Sequence, residues 1–478
     1  MGLGGWAKIY QNIFDFNRHS VTSGGNAGGY FAERNLVLKG GGYHNGTFLG
    51  ISYEKYIHVF DAHGNDNCGI AGHPDTAWNC GDAGRTFLIS ENTFQYKKTT
   101  DIKFRGQPKN LATISRNIFA RSDKDAAIDL YRDCCTVKVW GNNQYDVDTF
   151  GQYAVGDFDD DGVDDLFLAT GVTWWLSSAG QFPWSFLRRD DAAPKNLRFG
   201  YFDDDLKCDV LMETLTGEWS ISSGGTSEWK YLGDFGHPLS EVRLGRFDEH
   251  VRDHRPGVTR KTTHAFWRRS DGQWFVTALS GPNWQPVQSS SFPLSQLQFG
   301  DFTGDGVTDV LAVVNGHWAI SESATGQWRT LNPSLGEPVG DLTIANMDAD
   351  DNIDDILKLE RKYEQVPQLF SPALMRVTLT WWRSKNGTDP WVKWQSYTTP
   401  DYFVNDEEFI RVFFGFAGRF GAVPGNGTRV VNSNRVGGGT MLTDERRGGR
   451  FFNPAEIRNG RPANWVNNVL AGERRFAY

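Results

Sequence analysis

The sequence predicts an all-β protein made of two successive repeat architectures, a solenoid of stacked coils and then a β-propeller. Three observations predict it. A short phrase with a fixed asparagine recurs up to residue 142, at spacings of 23 (12 to 35), 57 (35 to 92), 25 (92 to 117) and 25 (117 to 142). From residue 151 a different phrase takes over, an acidic D-x-[D/T]-x-D-G-x-x-D loop whose units begin at Gly156, Gly200, Gly245 and Gly300. Finally, 54 Gly, 18 Trp and 33 Phe among 478 residues suit many short strands joined by tight turns.

The first repeat reads Ile9-Tyr10-Gln11-Asn12-Ile13-Phe14, Ala32-Glu33-Arg34-Asn35-Leu36-Val37, Ile89-Ser90-Glu91-Asn92-Thr93-Phe94, Ile114-Ser115-Arg116-Asn117-Ile118-Phe119 and Val139-Trp140-Gly141-Asn142. A period of roughly 20–30 residues with short strands and no helical pattern marks a solenoid. Stacked coils would place Asn12, Asn35, Asn92, Asn117 and Asn142 in one column, at a turn whose left-handed backbone asparagine tolerates. The 57-residue interval fits two coils with an inserted loop, the segment bracketed by Cys68 and Cys80, which could form a disulfide. These phrases resemble the right-handed parallel β-helix of polysaccharide lyases and related carbohydrate enzymes, over about residues 5–148, so the first domain is expected at residues 1–148. Ala7-Lys8-Ile9 is already strand-like, so the expectation is an uncapped first coil, met by a further segment or by a partner.

The second repeat is clearest in Gly156-Asp157-Phe158-Asp159-Asp160-Asp161-Gly162-Val163-Asp164-Asp165 and in Gly300-Asp301-Phe302-Thr303-Gly304-Asp305-Gly306-Val307-Thr308-Asp309. It is eroded around Asp203, Asp205 and Asp209, is one residue longer around Asn346, Asp348, Asp350 and Asp354, and keeps only its opening at Gly245 and Gly415. A tryptophan pair follows in each unit: Trp175 and Trp184, Trp219 and Trp229, Trp274 and Trp284, Trp318 and Trp328, Trp382 and Trp391. A four-stranded propeller blade needs about this length. The units look like the FG-GAP (VCBS) repeats of integrin alpha-chain heads and of many secreted bacterial and fungal proteins, including fungal propeller lectins. The resemblance covers about residues 151–452 and implies calcium as a mainly structural ligand; six units are counted, so the expectation is a β-propeller of six blades, or seven, over residues 149–478 with a C-terminal tail.

The acidic loops carry their own chemistry. Calcium takes six to eight oxygen ligands, and a loop with acids at positions 1, 3, 5 and 9 and a carbonyl at 7 can wrap one ion. Asp157, Asp159, Asp161 and Asp165 with Val163, and Asp301, Thr303, Asp305 and Asp309 with Val307, meet that rule. Carboxylates clustered without an ion would repel one another. The loop of Asp203, Asp205 and Asp209 lacks the first acid (Tyr201) and the glycine (Leu206). The loop of Asn346, Asp348, Asp350 and Asp354 lacks the glycine and carries an insertion, so both are weaker candidates. The tryptophans are expected to fill the wedge between blades. Trp174 and Trp381, which double the aromatic in two blades, are the candidates for stacking on sugar rings.

One constellation in the first part has catalytic chemistry. Arg18, His19, Glu33, His58, Asp61, His63, Lys103 and Arg105 fall in neighbouring coils. If Phe60, Ala62, Ile102 and Phe104 point inward, alternation turns Asp61 with His63, and Lys103 with Arg105, outward. A lyase acting on uronic acids needs a cation for the carboxylate and a base for the C5 proton. Arg105 or Arg18 suits the first role, and His63 or His19 the second. Glu33 and Asp61 are the pair a hydrolase would need. A structural ladder of ion pairs is the competing reading.

A net charge of −9 disfavours a nucleic-acid partner, and no apolar run is long enough to span a membrane. Met1–Trp6 shows no signal peptide, so an exported protein would carry its signal elsewhere. Asn45, Asn386 and Asn426 open glycosylation sequons. The leading expectation is an extracellular, calcium-binding protein whose partner is a polysaccharide or glycoconjugate. The alternatives are a lyase or hydrolase with its site on the solenoid, and an adhesive module that binds protein.

Overall fold

The computed structural model describes residues 5–15, 17, 19–23, 28–38, 41–48, 51–63, 82–95, 99–130, 136–147, 153–161, 165–178, 183–192, 196–203, 205–247, 263–279, 281–345, 351, 353–367 and 374–398, with four short strands beyond. The first part winds through three parallel sheets. One holds Trp6–Tyr10, Gly29–Glu33, Phe87–Ser90, Ala112–Ser115 and Val137–Val139; the second Ile13–Phe14, Leu36–Val37, Thr93–Phe94, Ile118–Ala120 and Gln144–Val147; the third Val21–Ser23, Phe60–Ala62, Ile102–Phe104 and Ile128–Leu130. Successive strands of each sheet lie one coil apart in parallel register, the arrangement expected of a parallel β-helix. Alternating side chains point inward, and Tyr30, Phe60, Phe87, Phe94, Ile102 and Phe119 are buried together in one core. Phe94, Phe119 and Tyr145 stack face to face up the coils, with ring centroids 5.2 and 5.1 Å apart.

The asparagine column is present, with three differences from expectation. Its backbone and side-chain amides donate to the next Oδ1 along: Asn12 to Asn35, Asn35 to Asn92, Asn92 to Asn117, each at 2.8–3.1 Å. The last member is Asn143, which receives both amides of Asn117 at 3.0 Å, whereas Asn142 accepts only from the Arg116 backbone. The left-handed residue is not the asparagine but the one before it. Gln11, Arg34, Glu91 and Arg116 sit at φ 55–56°, which leaves each asparagine free to turn inward. Because Asn35 bonds Asn92 directly, the 57-residue interval is one coil, lengthened by insertions that include the antiparallel hairpin Tyr43–Phe48 and Ile51–Tyr56. Cys68 and Cys80 lie outside the described residues.

Five four-stranded antiparallel sheets follow: Tyr153–Gly156, Asp165–Ala169, Thr173–Ser177, Ser185–Arg189; Leu197–Gly200, Asp209–Glu213, Trp219–Ser222, Lys230–Gly233; Val242–Gly245, His264–Arg268, Gln273–Ala278, Gln285–Ser289; Gln298–Gly300, Asp309–Val314, His317–Ser321, Arg329–Asn332; and Thr343–Ala345, Asp355–Val366, Leu374–Ser384, Val392–Thr398. Among the described residues this is a propeller of five four-stranded blades, where six were expected. The sixth unit contributes a two-stranded pair, Gly415–Gly418 with Arg429–Asn432, whose first strand lies beside both Tyr153–Gly156 and Thr343–Ala345. Beyond Thr398 the sequence keeps the opening Gly-Phe-Ala-Gly but neither an acidic loop nor a tryptophan pair, so the signals for a full blade are missing.

Apolar cores lie between adjacent blades, such as Phe158, Phe167 and Trp174 of the first against Phe199 and Val210 of the second. The loop tops are stitched as well. The backbone N–H of Cys208, Thr263 and Asp354 donates to the carbonyl of Asp157, Tyr201 and Asp301 in the preceding blade, at 2.6, 3.2 and 2.7 Å. Thr263 Oγ1 and Asp354 Oδ2 accept the return bonds from the Tyr201 and Asp301 amides. Thr308 makes the same double bond with Arg246.

Candidate functional site

On the outer face of the third sheet the first coils bring five side chains together. Val21 pairs with Phe60, so His19 and His58, each two residues earlier, stack one coil apart with ring centroids 4.6 Å apart. Ala62 pairs with Phe104, which sets His63 beside Arg105. Asp61 stands at the centre, its side chain fully buried although it points away from the core. Arg105 grips it as a fork, Nε to Oδ1 at 2.9 Å and Nη2 to Oδ2 at 2.5 Å. His63 Nε2 lies 2.6 Å from Oδ2, His58 Nε2 lies 3.1 Å from Oδ1, and Thr22 Oγ1 donates to Oδ2 at 3.3 Å. His19 Nδ1 donates to the His58 carbonyl at 3.1 Å.

Burial alone would raise the Asp61 carboxyl, but the contacts from His58, His63 and Arg105 outweigh it and hold the group far below the ordinary carboxylate range. Burial pushes the His19 imidazole down to about 4, so it is neutral at pH 7. Asp61 is therefore a fixed anion already matched by a fixed cation, with imidazoles around it that remain partly exposed.

This geometry revises several sequence expectations. Arg105 is committed to Asp61 and does not offer a free charge to a ligand carboxylate. Glu33 belongs to a different sheet, where it accepts from Ser90 Oγ at 3.2 Å, so it forms no carboxylate pair with Asp61. Lys103 pairs with Asp129 at 2.6 Å. Arg18 lies outside the described residues. His58, which was only one name in the constellation, proves central; its equal offset from the strand pairing with His19 is the signal that could have promoted it.

In the propeller, one carboxylate oxygen from each of Asp157, Asp159 and Asp165 falls within 4.8 Å of the others, and the same holds for Asp203, Asp205 and Asp209. The eroded second loop thus converges as well as the complete first one. In the fourth blade, Asp301 accepts from the backbone of Thr303, Gly304 and Gly306, and Asp305 from that of Val307. The last acid of each loop does a structural job: Asp165, Asp209 and Asp309 accept the amide of Phe158, Phe202 and Phe302 at 2.8–2.9 Å. Burial first, then neighbouring carboxylates, raise Asp209 to about 7 and Asp309 to about 6. Such groups ionise more readily once a cation sits among them. Asp355 pairs with Ala345 as Asp309 pairs with Gly300, so Asp355, and not Asp354, is the last acid of the fifth loop. Asp161 is described, whereas Val163, Asn346, Asp348 and Asp350 lie outside the described residues.

The tryptophans fill the wedges. Trp174 and Trp381 are 0% and 1% exposed, so neither can stack on a sugar. Leu166 pairs with Ser177 as Val210 pairs with Ser222 and Ile356 with Ser384. That register makes Trp174 and Trp381 the counterparts of Trp219, and the additional aromatics are Trp175 and Trp382. Trp174 meets Trp229 edge to face at 5.5 Å, Trp274 meets Trp328 at 5.8 Å and Trp318 meets Trp391 at 5.5 Å, each across a blade boundary.

No protein-family model matches this chain, and no curated protein sequence matches it. Solved structures are similar at low scores. An Agrocybe aegerita lectin described by its specific recognition of non-reducing terminal N-acetylglucosamine has a TM-score of 0.36 at 10% identity, over 59% of this chain and 85% of its own. BBS1N in complex with ARL6DN has a TM-score of 0.27 at 12% identity, over 61% and 78%. The N-terminal domain of Nup159 has 0.24 at 11%, over 52% and 79%. Among the described residues, no helix is long and apolar enough to cross a membrane.

Proposed function

We propose that this chain is an extracellular, calcium-binding, glycan-interacting protein, with the propeller as binding or scaffold module and the coil stack as the carbohydrate-facing wall. The observation that carries the reading is the convergence of His19, His58, His63 and Arg105 on Asp61, on the outer face of the stack. Imidazole nitrogens can donate to and accept from sugar hydroxyls. A hydroxyl-rich polysaccharide or glycoconjugate is the ligand class that suits these donors and acceptors, Arg105 being already committed to Asp61. Calcium fits the donor sets of Asp157, Asp159 and Asp165 and of Asp203, Asp205 and Asp209, all hard oxygens. Calcium bound there would pin each loop top and cancel its self-repulsion. Loops of this kind in extracellular modules bind at about 10⁻⁴–10⁻³ M, a level that suits a secreted protein.

A second reading, a lyase, rests on one contact: His63 Nε2 is held against the buried Asp61 carboxylate, which would orient the ring as a base once a ligand displaced Arg105 Nη2 from its Nδ1, 2.5 Å away. One screen separates the two. The protein is offered a panel of uronate and neutral polysaccharides, with binding read by calorimetry and unsaturated product by absorbance. Binding without product, weakened by His63→Ala, supports the wall; product formation abolished by His63→Ala supports the lyase. Absence of binding to every member rejects the glycan reading. For calcium, excess chelator should lower the melting temperature and calcium should restore it; identical melting curves would reject the ion.

A further inference from the structure

The Asp61 cluster has a feature that neither sugar recognition nor an ion-pair ladder explains. His58 Nε2 is buried, and its one polar neighbour at close range among the contacts described above is Asp61 Oδ1, 3.1 Å away. Two ligands of a single tetrahedral ion, each about 2.1 Å from it, stand roughly 3.4 Å apart, close to the separation of His58 Nε2 from Asp61 Oδ1. His19 completes the pattern. Its Nδ1 faces a carbonyl, which can only accept, so Nδ1 carries the proton and Nε2 of the neutral ring keeps the lone pair. A ring nitrogen bonded to a backbone carbonyl is how metal-binding histidines are commonly oriented. One ligand atom from each of His19, His58 and Asp61 lies within 4.8 Å of the other two.

We propose that His19, His58 and Asp61 bind a divalent transition ion of the zinc class, with a fourth coordination position left open beside His63. Two imidazoles and one carboxylate are the donor set of zinc, nickel or copper and not of calcium, which takes oxygen. Arg105 is then the outer partner that holds the carboxylate in place, as ligating carboxylates require. Its positive charge opposes the ion, which further disfavours calcium and leaves selectivity to the imidazoles. The site owes nothing to the acidic loops of the propeller, and its existence does not depend on the glycan reading.

The test uses the full chain, stripped of metal by a chelator, dialysed and supplied with excess calcium to occupy the acidic loops. Cobalt(II) is then titrated and the visible d–d absorption recorded. The expected result is a saturable band equivalent to a single ion per chain, displaced by zinc, and accompanied by a rise in melting temperature. The band should vanish in His58→Ala and in His19→Ala. If either alanine variant is unfolded by circular dichroism, His58→Gln and His19→Gln replace them, since glutamine keeps the size and a polar end. A wild-type chain with no saturable band, or folded variants that keep the band unchanged, would overturn the site. Neither outcome touches the glycan screen, which is run without cobalt.

Discussion

Single residues in the stack carry unequal loads. Asn92 accepts both amides of Asn35 and donates to Ala32, Ser90 and Asn117, all of it buried. Asn92→Ala would strand the Asn35 donors, and each buried orphan costs about 1–3 kcal/mol. The substitution should lower the unfolding free energy by about 2–4 kcal/mol in urea titration. Asn12, at the exposed end, only donates, so Asn12→Ala should cost below about 1 kcal/mol. Equal losses would mean that the column is not a hydrogen-bonded ladder. Asp61 is a second such residue. Asp61→Asn leaves the Arg105 charge without its counter-ion, and breaking a buried pair costs about 3–5 kcal/mol. Thermal melting of that variant should fall well below that of Lys103→Ala, whose partner Asp129 is half exposed.

At the scale of elements, the inter-blade tryptophans decide whether a blade stays docked. Trp318 is 0% exposed and lies edge to face on Trp391 of the next blade. Trp318→Ala should cost about 3–5 kcal/mol, whereas Trp382→Ala, whose Nε1 reaches an exposed glutamate, should cost far less. Similar losses would refute the packing role. These elements also show what sequence can reveal. Periodic phrases exposed both repeat regions, the coil column and the starts of the blade units, because each repeat is one strand-turn unit that buries the same side chains. What stayed hidden was phase within a repeat: Asn142 for Asn143, Trp175 for Trp174, Asp354 for Asp355. A doubled residue type leaves two registers open, and only strand pairing chooses between them. The Asp61 cluster was half legible. Alternation put the charges outside, but which charge neutralises which depends on coil stacking, which links Arg105 to Asp61 and leaves Glu33 on another sheet.

At the scale of the molecule, the stack and the propeller share a seam. Glu91 meets Arg189 at 2.7 Å, Arg116 meets Asp191 at 2.6 Å, and Gln95 donates to the buried Tyr153 hydroxyl at 2.7 Å. Burial pushes the Tyr153 phenol well above the usual tyrosine range, against a smaller opposing effect of the Gln95 bond. The contribution is fully present below the unfolded tyrosine value of about 10 and is lost as pH rises beyond it. Wild type should therefore lose stability between about pH 9 and 11 more steeply than Tyr153→Phe, since only the phenol must ionise on unfolding. Parallel stability curves for the two would place Tyr153 in water and dissolve the seam.

The strand Gly415–Gly418, flanked by the first and the fifth blade, also sets the order of events in time. Every coil of the stack pairs with its sequence neighbour, and every blade closes on itself, so both can form as the chain emerges. The ring cannot fasten until a strand far downstream meets Tyr153–Gly156. Contacts of such separation form slowly. Refolding should show a fast phase from the local units and a slow one from closure. A chain ended at Thr398 should keep the fast phase, lose the slow one, and leave the facing edges of two blades exposed to self-association.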